Sequence, residues 1–114
     1  MISDLKDLLN LELGLEYCGG MEDLYEDMLR DYYEGNFVET LKEQYAAENW
    51  TDYRVTIHGV KSTSLMIGGE DISAKAKELE LAAADGNADF IKENHEKVLA
   101  QYQNLIDKIK EAIG

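Results

Sequence analysis

Apolar residues along the chain recur three and four positions apart rather than in alternation, a period that predicts an all-α protein. Proline is absent, and glycines fall in pairs or at the ends of the periodic stretches, which places the breaks. Ser3 to Asn10 opens on a capping serine and carries Leu5, Leu8 and Leu9, an amphipathic turn or two that is too short to stand alone. Gly14 to Cys18 reads as another turn before Gly19 and Gly20. From Met21, the residues Leu24, Met28, Tyr32, Phe37, Leu41 and Tyr45 mark a long helical stripe running to about Ala47. Gly35 and Asn36 lie inside it, and their low helix propensity marks the place for a kink or local irregularity.

The second half is more regular. Asn49 to Asp52 starts a helix that runs through Ile67, with Tyr53, Ile57, Val60, Ser64 and Ile67 on one face and Gly68 and Gly69 at its end. Glu70 to Asp85 repeats the pattern with Ile72, Ala76, Leu79 and Ala83, and Gly86 closes it. After Asn87 the last helix carries Ile91, His95, Val98, Tyr102, Leu105 and Ile109, the spacing of a bundle seam with shallow crossing angles. The expected architecture is an antiparallel, up-down-up-down four-helix bundle with a short N-terminal capping helix, in one domain spanning residues 1–114.

Length and charge narrow the possibilities. With 114 residues there is room for one core, which excludes a two-domain enzyme. Against 11 basic residues stand 24 acidic ones, a formal net charge of −13, so the overall field repels phosphate backbones and anionic lipid, and neither nucleic acid nor a membrane is an expected partner. The lone Cys18 closes no intrachain disulfide, and the first residues lack an export signal, so a reducing cytoplasm is the expected location. The expected state is a monomer.

His58 is the residue that carries chemistry. Advancing about 100° per residue puts it away from its own helix's apolar stripe. Arg54 lies one turn before it, Lys61 and Ser62 one turn after, and Leu65 two turns after, a small basic patch on an acidic protein. An outward imidazole beside cations is a poor metal ligand set and a reasonable phosphoryl acceptor. A phosphorylated side chain carries about −1.5 to −2 charge, and an ammonium at ~4 Å contributes roughly 1 to 4 kcal/mol. Lys61 is the expected source of that stabilisation, and the small Ser62 leaves room for another protein to approach the ring.

Over about Gly14 to Ile113 the chain resembles the histidine-containing phosphotransfer (HPt) domains of multistep phosphorelays. That family places Lys three residues after the phosphorylated His, a small residue, usually Gly, at four, and Gly at ten; here those positions hold His58, Lys61, Ser62 and Gly68. Ile72, the pair Leu79-Glu80 and the polar turn Asp85-Gly86-Asn87 stand at matching distances. Ser62 in place of Gly bears on how closely a partner packs, and Gly59, inside the helix, on its local mobility. The resemblance implies transfer from a receiver-domain aspartate to the Nε2 nitrogen of His58 and on to another receiver. The receiver brings the Mg²⁺, the carrier has no cofactor of its own, and the chain is either free-standing or part of a larger hybrid sensor histidine kinase. Such a protein is a carrier rather than an enzyme, and no phosphate-binding glycine loop is present for ATP.

Other residues read more plainly. His95 sits in the seam between Ile91 and Val98 and is expected to be buried and satisfied there. Neither histidine has the Glu three residues earlier that a di-iron bundle uses. Cys18 reads as a packed small residue, Tyr32, Tyr33 and Tyr45 as core or rim, and the acidic runs Glu22 to Asp31 and Glu78 to Asp85 as solvated faces. The rival to a phosphocarrier is a docking bundle without chemistry. Outward Val55, Leu65 and Met66 would serve either.

Overall fold

The computed structural model describes residues 1–114, and every regular element in it is helical. A 3₁₀ turn over Ile2–Leu5 precedes α1 (Leu11–Tyr17), α2 (Glu22–Glu34), α3 (Val38–Ala46), α4 (Trp50–Met66), α5 (Glu70–Ala84) and α6 (Ala88–Ile113). Asparagine starts three of them in the same way. The side-chain oxygens of Asn10, Asn49 and Asn87 accept from the backbone N–H of Leu13, Asp52 and Phe90 at 3.1, 3.2 and 3.2 Å, satisfying donors the helix itself leaves free.

Helix ends are equally local. At the end of α4, Gly68 takes φ +88° and the N–H groups of Gly68 and Gly69 donate to the carbonyls of Leu65 and Ser64, a Schellman closure. Gly86 does the same for α5 at φ +69°. The left-handed turn at Gly68 has a second use. It seats the N-terminal segment, because Asn10 N–H donates to the Gly68 carbonyl at 2.8 Å.

The stripe predicted from Met21 to Ala47 as a single helix is two helices. Gly35 ends α2, and the chain re-enters helix at Val38. Asn36 bridges the gap with both ends of its amide, donating to the Tyr33 carbonyl at 2.9 Å and accepting from Val38 N–H at 3.0 Å. Phe37 N–H donates to the Tyr102 hydroxyl of α6 at 3.0 Å. These bonds stand in for the helical ladder at Phe37 and Val38, two donors that the break would otherwise leave free. The phase of the stripe shifts with it: Tyr25, Leu29, Tyr32, Val38 and Leu41 are buried, Met28, Phe37 and Tyr45 are half-buried, and Leu24 is exposed. Two N-terminal expectations also change. Ser3 lies inside the 3₁₀ turn and caps nothing, and Leu8 is exposed while Leu5 and Leu9 enter the core. Gly14 to Tyr17 belongs to a true helix, α1, with Cys18 as its C-cap.

From Asn49 onward the predicted elements and faces are present. Tyr53, Ile57, Val60 and Ser64 of α4, Ile72, Ala76, Leu79 and Ala83 of α5, and Ile91, His95, Val98, Tyr102, Leu105 and Ile109 of α6 are all buried. The most extensive helix contact is α4 against α5; α6 packs on both α5 and α2, and α3 on α4. Burying four tyrosines in this core requires partners for their hydroxyls. Tyr25 donates to the Ile67 carbonyl at 2.7 Å, Tyr32 pairs with Ser64 Oγ at 2.7 Å, Tyr53 with His95 Nδ1 at 2.8 Å, and Tyr102 receives Phe37. Ser64 is thus a polar residue on an apolar face for a reason. Burial pushes the phenols of Tyr25 and Tyr102 up to about 12.

Candidate functional site

His58 follows Ile57 on α4, about 100° around the helix from that buried side chain, and emerges at the α5 edge with its side chain 57% exposed. Small side chains on α5, Ser73, Ala76 and Ala83, are buried against the neighbouring helices and allow close approach; Ser73 Oγ donates to the Lys61 carbonyl at 2.8 Å. That contact brings Glu80 of α5 across to α4. One carboxylate oxygen meets His58 Nδ1 at 2.5 Å and the other meets Lys61 Nζ at 2.6 Å.

Glu80 is mostly buried. Burial alone pushes its carboxyl upward, but the hydrogen bonds from Lys61 and His58, with their charges, outweigh it and hold the group below the usual carboxylate range. At neutral pH Glu80 is therefore an anion and only accepts hydrogen bonds. The proton of a neutral His58 ring must then lie on Nδ1, which leaves the lone pair on Nε2. Nε2 has no hydrogen-bond partner within the chain, on a ring whose side chain is more than half exposed.

Of the predicted site residues, the structure gathers His58, Lys61 and Ser62 on one face. Lys61 is engaged: its ammonium pairs with the Glu80 carboxylate at 2.6 Å. Arg54 is exposed one turn before His58 and forms no ion pair, and Leu65 is exposed two turns after it. Gly68 does not join them. It lies ten residues along, about 15 Å at helical rise, where a Cβ would sit 2.1 Å from the Asn10 carbonyl oxygen. Its contribution is architectural. Gly59 leaves α4 unbroken. The position of Glu80 against His58 is what residue spacing alone did not reveal. The signal was present as a carboxylate next to the core residue Leu79, on the helix following the histidine's own.

His95 lies in the opposite environment. Its ring stacks on Tyr45 with centroids 3.8 Å apart and planes at 3°, and Trp50 and Tyr53 complete the aromatic cluster. Burial holds it below its ordinary value, with the charge of Glu96 pulling the other way. The folded state thus prefers the neutral ring. Its contribution to stability is complete above the unfolded value of about 6.5 and is lost as pH falls from there toward the lower folded value. Melting temperature is expected to fall between about pH 7.5 and about pH 5.5, with His95→Gln flattening that slope; an unchanged slope would remove His95 as its cause.

Cys18 is buried with Sγ 3.1 Å from Met28 Sδ, and burial pushes its thiol up, as suits a packing residue. No three His, Cys, Asp or Glu side chains gather where they could hold a metal ion. No helix is long and apolar enough to cross a membrane. In comparisons with known proteins, no family model, curated protein or solved structure matches the chain.

Proposed function

We propose that this chain is a histidine phosphocarrier of the HPt kind, with His58 as acceptor. The observation that carries the reading is the Glu80 carboxylate, which holds His58 Nδ1 and Lys61 Nζ together and leaves Nε2 unpartnered on a largely exposed side chain. The donor is the acyl phosphate on a receiver-domain aspartate. As the Nε2 lone pair forms the P–N bond, the P–O bond to the aspartyl carboxylate breaks and that carboxylate leaves with the electron pair. The ring, still bearing its Nδ1 proton, becomes cationic, and Glu80 faces that charge as it develops. The reverse step delivers the phosphoryl group to a second receiver.

Lys61 has a supporting part in this scheme. Without it, the Glu80 carboxylate would repel the arriving phosphoryl group from only one ring-width away. The receiver supplies the Mg²⁺, and the carrier supplies nucleophile, orientation and a neutralised base. Exposed Val55, Leu65 and Met66 on α4, with Arg54, offer a docking surface around the acceptor. Under this reading α2 with α3, then α4, α5 and α6 form the four arms of an up-down-up-down bundle capped by the N-terminal segment, acting in the cytoplasm.

Incubation with a phosphorylated receiver, followed by assay for an acid-labile, base-stable phosphoryl group, tests the proposal. Glu80→Leu is expected to slow labelling by tenfold or more, the scale of a lost charged hydrogen bond of about 1.5–3 kcal/mol. Glu80→Gln, which keeps an acceptor oxygen, should fall between that variant and wild type. Wild-type protein left unlabelled by several receivers would favour the docking bundle instead.

A further inference from the structure

A groove of about 360 Å³ runs between α4 and α5 beside the acceptor, lined by Lys61, Ser62 and Leu65 from one helix and Ser73 and Lys77 from the other, with Glu70 at its far end. Lys61 is already paired with Glu80. Drawing it to a phosphoryl group would strip the carboxylate of its counter-charge next to a new anion. Lys77 is not so constrained. It stands three residues before Glu80 on α5, is exposed, and forms neither an ion pair nor a side-chain hydrogen bond. Ser62 follows His58 by one turn on α4, which puts their Cβ atoms about 5–6 Å apart, and no hydrogen bond within the chain occupies its hydroxyl. Glu70 is two turns from Lys77, about 10 Å along the helix, and its carboxylate receives Asn10 Nδ2 at 3.4 Å.

We propose that Lys77 and the Ser62 hydroxyl bind the oxygens of the phosphoryl group carried by His58, with Lys61 reserved for Glu80. The inference rests on His58 as acceptor. It assigns the mobile cation of the site to α5 and gives the hydroxyl at position 62 a use that a glycine there would lack.

Phosphoramidate, a donor that needs no receiver, separates the two ideas. With it, the Nε2 lone pair forms the new P–N bond, the donor's own P–N bond breaks, and ammonia leaves. Labelling rates of the full chain are compared for wild type, Lys77→Gln, Lys77→Arg, Ser62→Gly and Arg54→Gln at low and high salt, with circular dichroism to verify folding. Lys77→Gln is expected to slow labelling about fivefold at low salt, the scale of one unit-charge contact near 4 Å in water, and Lys77→Arg to stay near wild type. Ser62→Gly should also be slower. The Lys77 difference should shrink at about 1 M salt, where screening acts over ~3 Å. Equal rates for Lys77→Gln and wild type at low salt overturn the proposal, as does an equal loss in Arg54→Gln, which would make the effect a general field. If wild type is not labelled on His58 at all, the acceptor assignment fails first.

Discussion

His58→Gln is expected to abolish phosphoryl acceptance while leaving unfolding within about ±0.5 kcal/mol of wild type. Two structural facts separate the effects. The side chain is 57% exposed, so its removal opens no cavity in the core. Glu80, the group it contacts, keeps Lys61 at 2.6 Å and is not left as an unpaired buried charge. Glutamine's amide nitrogen has no lone pair free for attack on phosphorus. The check is a labelling assay run beside denaturant unfolding, and labelling of the variant at the wild-type level would remove His58 as acceptor. Loss of both labelling and fold would instead show His58 to be part of the scaffold.

The largest effect on stability is expected at Gly68. An alanine Cβ there would sit 2.1 Å from the Asn10 carbonyl oxygen and 2.9 Å from its carbon, on a residue at φ +88°. The left-handed backbone costs about 1–2 kcal/mol for an L side chain, and overpacking against rigid backbone typically another 1–3 kcal/mol. Gly68→Ala should therefore destabilise by about 3 kcal/mol or more, and Asn10, the cap of α1, must move with it. Gly86→Ala provides the comparison. Gly86 is also left-handed but has nothing within 4 Å of its added Cβ, so it should lose only the backbone share. Equal stabilities for the two variants would mean that the N-terminal segment yields without cost.

The half of the fold that was legible in the sequence is the half built from local signals. Asn49 and Asn87 cap α4 and α6 through their own side chains, Gly68 and Gly86 end α4 and α5, and the buried faces follow unbroken spacings. The break between α2 and α3 was marked only as a weak point. Its cause includes Tyr102, 65 residues away, whose hydroxyl receives Phe37 N–H, and no local propensity encodes that partner. Leu24 and Tyr25 exchange places for a related reason: the burial of Tyr25 is secured by its bond to the Ile67 carbonyl. At the site, the outward direction of His58 follows from helix geometry alone. The contact of Glu80 with His58 does not, because it depends on how α4 and α5 lie against each other.

That dependence makes the His58–Glu80 contact a gauge of register. In an unfolded chain the imidazole carries its proton on either nitrogen, and nothing selects the reactive form. In the folded protein the selection is made by a side chain on a different helix, seated where small residues let the two backbones approach. A slip of α5 along α4 by one turn, about 5.4 Å, could preserve much of the buried apolar surface and the helical content while carrying Glu80 out of reach. Substitutions at Ser73, Ala76 or Ala83, buried positions that form no hydrogen bond to His58, thus act on the proton's location in the ring through interhelical alignment.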